Sequence, residues 1–100
     1  PKTSTPAPVL ILQFDSSFLG TYQQMARELR AAGIGVEVYP EAKKLGPQFK
    51  YAESRGFRLA LIAGSEEIQR GQWKLKNLAT KEETTVPADQ LREAILAALR

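Results

Sequence analysis

The chain has 100 residues, with fourteen Lys/Arg against eleven Asp/Glu, and it has no cysteine and no histidine. That length makes one domain able to bury roughly 60–70% of its unfolded surface in a single core. Without cysteine there are no disulfides and no thiolate metal sites, and without histidine the commonest general base and the commonest metal ligand are both missing. Any metal site would have to be all-oxygen, and no carboxylate spacing suggests one. The cysteine-free composition fits an intracellular protein, and no run approaches the roughly 20 apolar residues of a membrane helix.

The opening Pro1-Lys2-Thr3-Ser4-Thr5-Pro6-Ala7-Pro8 is Pro/Ser/Thr-rich and reads as a linker over residues 1–8, with the domain over 9–100. A start without Met carries the expectation that the chain was cut from something larger. Val9 to Phe14 is almost entirely apolar and predicts a central strand that runs into a helix cap at Asp15-Ser16-Ser17. Phe18, Tyr22, Met25, Leu29 and Ala32 recur at helical spacing, and Gly33 ends that helix. Val36 to Tyr39 gives a second strand, broken by Pro40.

A second helix is expected from about Gly46-Pro47, where a first turn tolerates proline, to Gly56. Leu45, Phe49 and Ala52 form its inward stripe, with Lys50 and Arg55 projecting away. Leu59 to Ala63 is an unbroken apolar run, which predicts a strand buried on both faces. Gly64 to Gly71 reads as a turn with one helical turn capped by Ser65. Trp73 and Leu75 alternate with Lys74 and Lys76, the period of a strand with one wet face. Thr84 to Val86 returns the chain, and after Pro87 the residues Leu91, Ala94, Ile95 and Ala98 form the buried stripe of a last helix. Two strand–helix–strand crossovers followed by a hairpin and a helix make a three-layer α/β sandwich around a parallel core; the pattern does not orient the hairpin.

Catalytic patterns are missing. The first strand does not end in a glycine-rich phosphate loop. Ser16 and Ser17 have no histidine to activate them, so they read as capping residues. Glu66-Glu67 reads as an acidic first turn facing a helix dipole rather than an acid/base pair. Charge is the remaining signal. Residues 42–81 carry nine Lys/Arg against three Asp/Glu, and the rest of the chain carries five against eight. Lys43, Lys44 and Lys50 cluster at one helix, Lys74 and Lys76 on one strand, and Tyr39, Tyr51 and Trp73 lie among them. Cations interleaved with aromatics suit single-stranded nucleic acid, which offers phosphates to hold and bases to stack. The competing reading is a solvated lysine face with a core tryptophan.

The string Leu29 to Val38, then Lys44-Leu45-Gly46-Pro47-Gln48-Phe49-Lys50-Tyr51-Ala52, Leu59 to Gly64 with Glu66-Glu67 and Gly71, and Lys74-Leu75-Lys76-Asn77-Leu78-Ala79-Thr80 resemble the C-terminal anticodon-binding domain of histidyl-tRNA synthetase. The resemblance runs from about Val9 to Leu99. It implies an α/β/α sandwich with a five-stranded mixed sheet in the order 2-1-3-4-5, strand 4 antiparallel to the rest. It also implies a module that grips the anticodon stem-loop of tRNA(His) for a cytoplasmic, homodimeric histidine–tRNA ligase. ATP, with Mg, would belong to that ligase's catalytic domain, and this piece would hold no cofactor. On that reading the matching positions Lys44, Gln48, Lys50 and Tyr51 meet the tRNA, and charge adds Lys43, Lys74 and Lys76. Lysines would hold phosphates, and Gln48 or Tyr51 would touch a splayed base. The chain departs from the family at Pro47, often a basic residue, and at Thr80-Lys81, where a Thr-Gly turn is usual. Two other readings remain open, a non-catalytic paralogue for RNA sensing and a protein-contact or dimerisation domain.

Overall fold

The computed structural model describes residues 8–40 and 44–99. Nearly all of the expected linker, and Lys43, lie outside the described residues. The chain runs β1 (Val9–Ile11), α1 (Leu19–Ala31), β2 (Val36–Val38), α2 (Leu45–Arg55), β3 (Leu59–Ile62), α3 (Ser65–Arg70), β4 (Gln72–Asn77), β5 (Glu83–Pro87) and α4 (Leu91–Leu99). The sheet order is β2-β1-β3-β4-β5. β1 pairs in parallel with β2 and β3, β3 pairs antiparallel with β4, and β4 antiparallel with β5. Strand 4 alone therefore opposes the others, as the family resemblance implies.

Two cores explain why the central strands show no alternation. Val9, Ile11, Leu59, Leu61 and Ala63 face α1 and α4, where Tyr22, Met25, Leu29, Leu91 and Ile95 bury against them. Leu10, Leu12, Ala60 and Ile62 face the other way, under Ala52 and the partly buried Leu45 and Phe49 of α2. Right-handed crossovers account for the two layers: the chain steps from β1 outward to β2 and then back across to β3, so α1 and α2 land on opposite faces. β4 has a helix on one face only. Trp73 and Leu75 enter the α1/α4 core, while Lys74 and Lys76 stand on the α2 side, at the margin of what α2 covers.

Some expectations shift. β1 ends at Ile11, not at Phe14; the chain then peels off the sheet, and Phe14 is 52% exposed. The helical turn after β3 is longer than expected, and its N-cap is Gly64 rather than Ser65. The Gly64 N–H is held by the Glu67 carboxylate at 2.8 Å. Within the expected Asp15-Ser16-Ser17 cap it is Asp15, not the serines, that caps the turn before α1, its carboxylate accepting from the Ser17 N–H at 2.9 Å. That bond holds the Asp15 carboxyl below its ordinary range. Gly33, φ +86°, follows α1 in the left-handed conformation that glycine adopts without a steric penalty.

Candidate nucleic-acid interface

β1 and β3 are neighbours, but the chain leaves them in opposite directions, toward β2 and toward β4. Their carboxyl ends diverge, and such a switch point leaves a crevice. Here it is a cleft of about 300 Å³ lined by Phe14, Leu45, Ile62, Gly64, Ser65, Glu66, Glu67 and Lys74. No two of β1, α2 and β4 are consecutive in the chain, so the fold alone assembles this lining.

Three buried or half-buried polar side chains fix the segment that carries Phe14. Gln48 is fully buried; its amide oxygen accepts from the Gln13 N–H and its amide nitrogen donates to the Gln13 carbonyl, both at 2.7 Å. Gln13 in turn donates its own amide to the Tyr39 carbonyl at 2.6 Å, which ties the segment to the end of β2. From the opposite face Tyr22 donates its hydroxyl to the Ala63 carbonyl at 2.9 Å and accepts from the Phe14 N–H at 3.3 Å. Burial pushes the Tyr22 phenol above its ordinary pKa. Phe14 itself is half exposed, with the Cδ2–Cε2 edge of its ring close to Gly64: a Cβ at Gly64 would stand 3.3 Å from the ring.

The residues singled out from the sequence fall into two groups. Lys44 is exposed just before α2, next in sequence to the cleft residue Leu45, and Lys50 is exposed on the same helix. Among the described residues neither has a carboxylate partner. Lys74 lines the cleft, 3.8 Å from Glu67, because β4 enters the sheet opposite the end of β3, with Lys74 paired to Ile62. Lys76 lies two residues further along and rests its ammonium 4.4 Å from the centre of the Phe49 ring.

Gln48 is inside the protein, and Tyr51 is half-buried against its neighbours. Gln48 offers no group to solvent, since it sits on the inward stripe three residues after Leu45 and four before Ala52. Tyr51 packs edge-on against Tyr39, with centroids 5.2 Å apart, and against Phe57 at 6.1 Å, while Arg55 stands 5.5 Å over its ring. Trp73 is a core residue, edge-on to Tyr22 at 6.1 Å. The aromatic that reaches solvent at the cleft is Phe14, which sequence reasoning assigned to a buried strand. The available signal was the polar Gln13 before it and the Asp15 cap after it.

Residues 8–98 match the family described as "Anticodon binding domain". The chain belongs to that family. The anticodon-binding domain here is 50% identical over 100 residues to the histidine–tRNA ligase of Rhodopirellula baltica, covering 95% of this chain and 23% of the relative. It is 37% identical over 98 residues to that of Xanthomonas oryzae, covering 98% of this chain and 20% of the relative. Its fold matches the crystal structure of histidyl-tRNA synthetase from a Nostoc species with a TM-score of 0.93 and 32% identity, covering 96% of this chain and 23% of that one. The resemblance read from the sequence is therefore borne out: this is an anticodon-binding domain of the histidine–tRNA ligase type. It spans about a quarter or less of the length of these relatives. None of its helices, among the described residues, is long and apolar enough to cross a membrane.

Proposed function

We propose that this domain grips the anticodon stem-loop of tRNA(His) for a histidine–tRNA ligase, and that it does so with the cleft at the carboxyl ends of β1 and β3. The observation that carries this is an exposed aromatic ring in a crevice that Lys74 also lines, with Lys44 and Lys50 exposed at the start of and along the helix whose Leu45 lines it. A folded loop of RNA presents unstacked bases and closely spaced phosphates. An aromatic platform takes the first and lysines take the second. Phosphate contacts supply affinity and set orientation, while base contacts supply choice. Gln48 serves by holding the Gln13-Phe14 segment in place, and Tyr51 by packing α2 against the end of β2.

The rest of such a ligase would supply the chemistry: ATP with Mg in a catalytic part, histidine activation, and a homodimer in the cytoplasm. Among the described residues no group of His, Cys, Asp and Glu is placed to hold a metal ion. The relatives with the highest identities given above are histidine–tRNA ligases, which favours this reading over a non-catalytic paralogue. Removing Lys44 and Lys50 together tests it. If each neutralises one phosphate, the double alanine variant lowers the slope of log affinity against log salt by about two units. An unchanged slope would mean that the RNA lies elsewhere.

A further inference from the structure

The sheet has two edges, and they are finished differently. At β2 the Arg30 guanidinium donates twice to the Val36 carbonyl, at 2.8 and 3.2 Å, which occupies part of that three-residue edge. β5 is five residues long, and the register shows what its outer side presents. The Asn77 N–H donates to the Glu82 carbonyl and the Ala88 N–H to the Gly71 carbonyl, both at 2.8 Å. Bonded and non-bonded pairs alternate along an antiparallel ladder. Thr84 and Val86, opposite Leu75 and Trp73, therefore carry the bonds to β4. Glu83 and Thr85 turn both backbone groups outward, and Pro87, which has no N–H, turns out a carbonyl alone. No hydrogen bond among the described residues takes these groups up.

An open row of backbone donors and acceptors is a template for another strand. We propose that the strand it takes is β5 of a second copy of this chain, paired antiparallel about a twofold axis at Thr84 or Thr85. The strand is complementary to itself there. With the axis at Thr85, Glu83 stands opposite Pro87 of the other copy; with the axis at Thr84, it stands opposite Thr85. Either way the two Glu83 carboxylates stay apart, and the Thr85 N–H donates across the axis. An axis at Glu83 would set like charges face to face. One at Val86 or Pro87 would put the donorless proline in the central bonded pairs. The helix over this edge suits the same axis. Gln90, Glu93 and Ala94 of α4 line a groove of about 610 Å³ beside Thr85, Val86 and Pro87. Ala97 follows them at helical spacing. Pairing the strands brings the two α4 helices side by side on one face of the joined sheet, where small side chains let them approach. The shared patch is short, so the dimer is weak and forms only at high concentration. Its groove shares no residue with the Phe14 cleft, so the proposal does not rest on the RNA reading.

The test is sedimentation of the 100-residue chain from about 10 μM to about 1 mM, with amide hydrogen exchange measured at both ends of that range. The chain is expected to pass from monomer toward dimer. The Thr85 amide is expected to exchange about threefold or more slowly in the concentrated sample, while Thr84 and Val86, bonded to β4, are protected in both. Thr85→Pro removes the outward N–H and leaves every β4–β5 bond in place, at an edge position where proline is tolerated. That variant is expected to stay monomeric over the whole range. A monomer at about 1 mM overturns the proposal. So does a dimer that survives Thr85→Pro in a protein with a native amide spectrum, or a Thr85 amide whose exchange is the same at both concentrations. Should the proline variant fail to fold, the exchange comparison on the unaltered chain decides alone.

Discussion

A carboxamide is donor and acceptor at once, and Gln48 uses both on the backbone of Gln13, in a place with no water to replace either bond. Gln48→Ala would strand a buried N–H and a buried C=O, and chemical denaturation should register a loss of about 2–3 kcal/mol. Gln48→Glu is the sharper probe. Its protonated form can still donate to the Gln13 carbonyl, but its ionised form sets a buried charge against that oxygen. The folded-state pKa is then raised, so the variant should be most nearly normal at about pH 4 and lose stability as pH rises toward 7. Equal losses at pH 4 and pH 7 would contradict the bond as described. Tyr22 obeys the same sign rule at the other end of the scale. Its phenol is held neutral by burial, so stability is full below the ordinary tyrosine pKa of about 10 and falls as pH climbs past it. Tyr22→Phe lacks that ionisation, so the stability gap between the two proteins, about 1–3 kcal/mol at neutral pH, should narrow above about pH 10.

Among the elements, the β4–β5 hairpin shows where a local rule is broken. Lys81 sits at φ +69°, a conformation that costs a side-chain-bearing residue roughly 1–2 kcal/mol. Departure from the family's Thr-Gly turn was legible in the sequence, as was its strain; what offsets the strain was not. The Asn77 side-chain oxygen accepts from the Ala79 and Thr80 N–H groups, at 2.9 and 3.1 Å, and the Asn77 carbonyl accepts from the Lys81 N–H at 2.7 Å. The Lys81 ammonium also pairs with the Glu53 carboxylate of α2, both exposed, which holds the Glu53 carboxyl below its ordinary range. A surface pair is worth little, so Lys81→Gly should be neutral to stabilising by up to about 1 kcal/mol in thermal or urea unfolding. Lys81→Val should destabilise by more than about 1 kcal/mol. The helices and strands themselves followed from periodicity, because each buries one stripe or two full faces. The N-cap at Gly64 did not, since Ser65 has the better capping side chain and only the reach of Glu67 back to the Gly64 N–H moves the boundary.

At the scale of the molecule, the sheet brings Lys74 of β4 and Leu45 of α2 into one cleft with Phe14 from the end of β1, three segments far apart in sequence. Sequence charge located Lys44, Lys50, Lys74 and Lys76 on these elements, because lysine is almost never buried and its position on a strand or helix fixes its side. It could not rank the aromatics: Trp73 and Tyr51 are consumed by packing, and Phe14 is freed by a strand that ends three residues early. The resemblance puts Gln48 in contact with a base, but its spacing from Leu45 and Ala52 turns it inward, where periodicity rather than polarity decides its side. The central claim is that RNA meets the carboxyl edge of the sheet. The most direct measurement is an amide-shift map of the chain titrated with a tRNA(His) anticodon stem-loop, against a scrambled loop at the same salt. The account predicts the largest shifts at Phe14, Lys44, Gly64 to Glu67 and Lys74, and larger shifts with the cognate loop. Shifts centred instead on the opposite edge, around Arg58, Leu78 and Ala79, would contradict it.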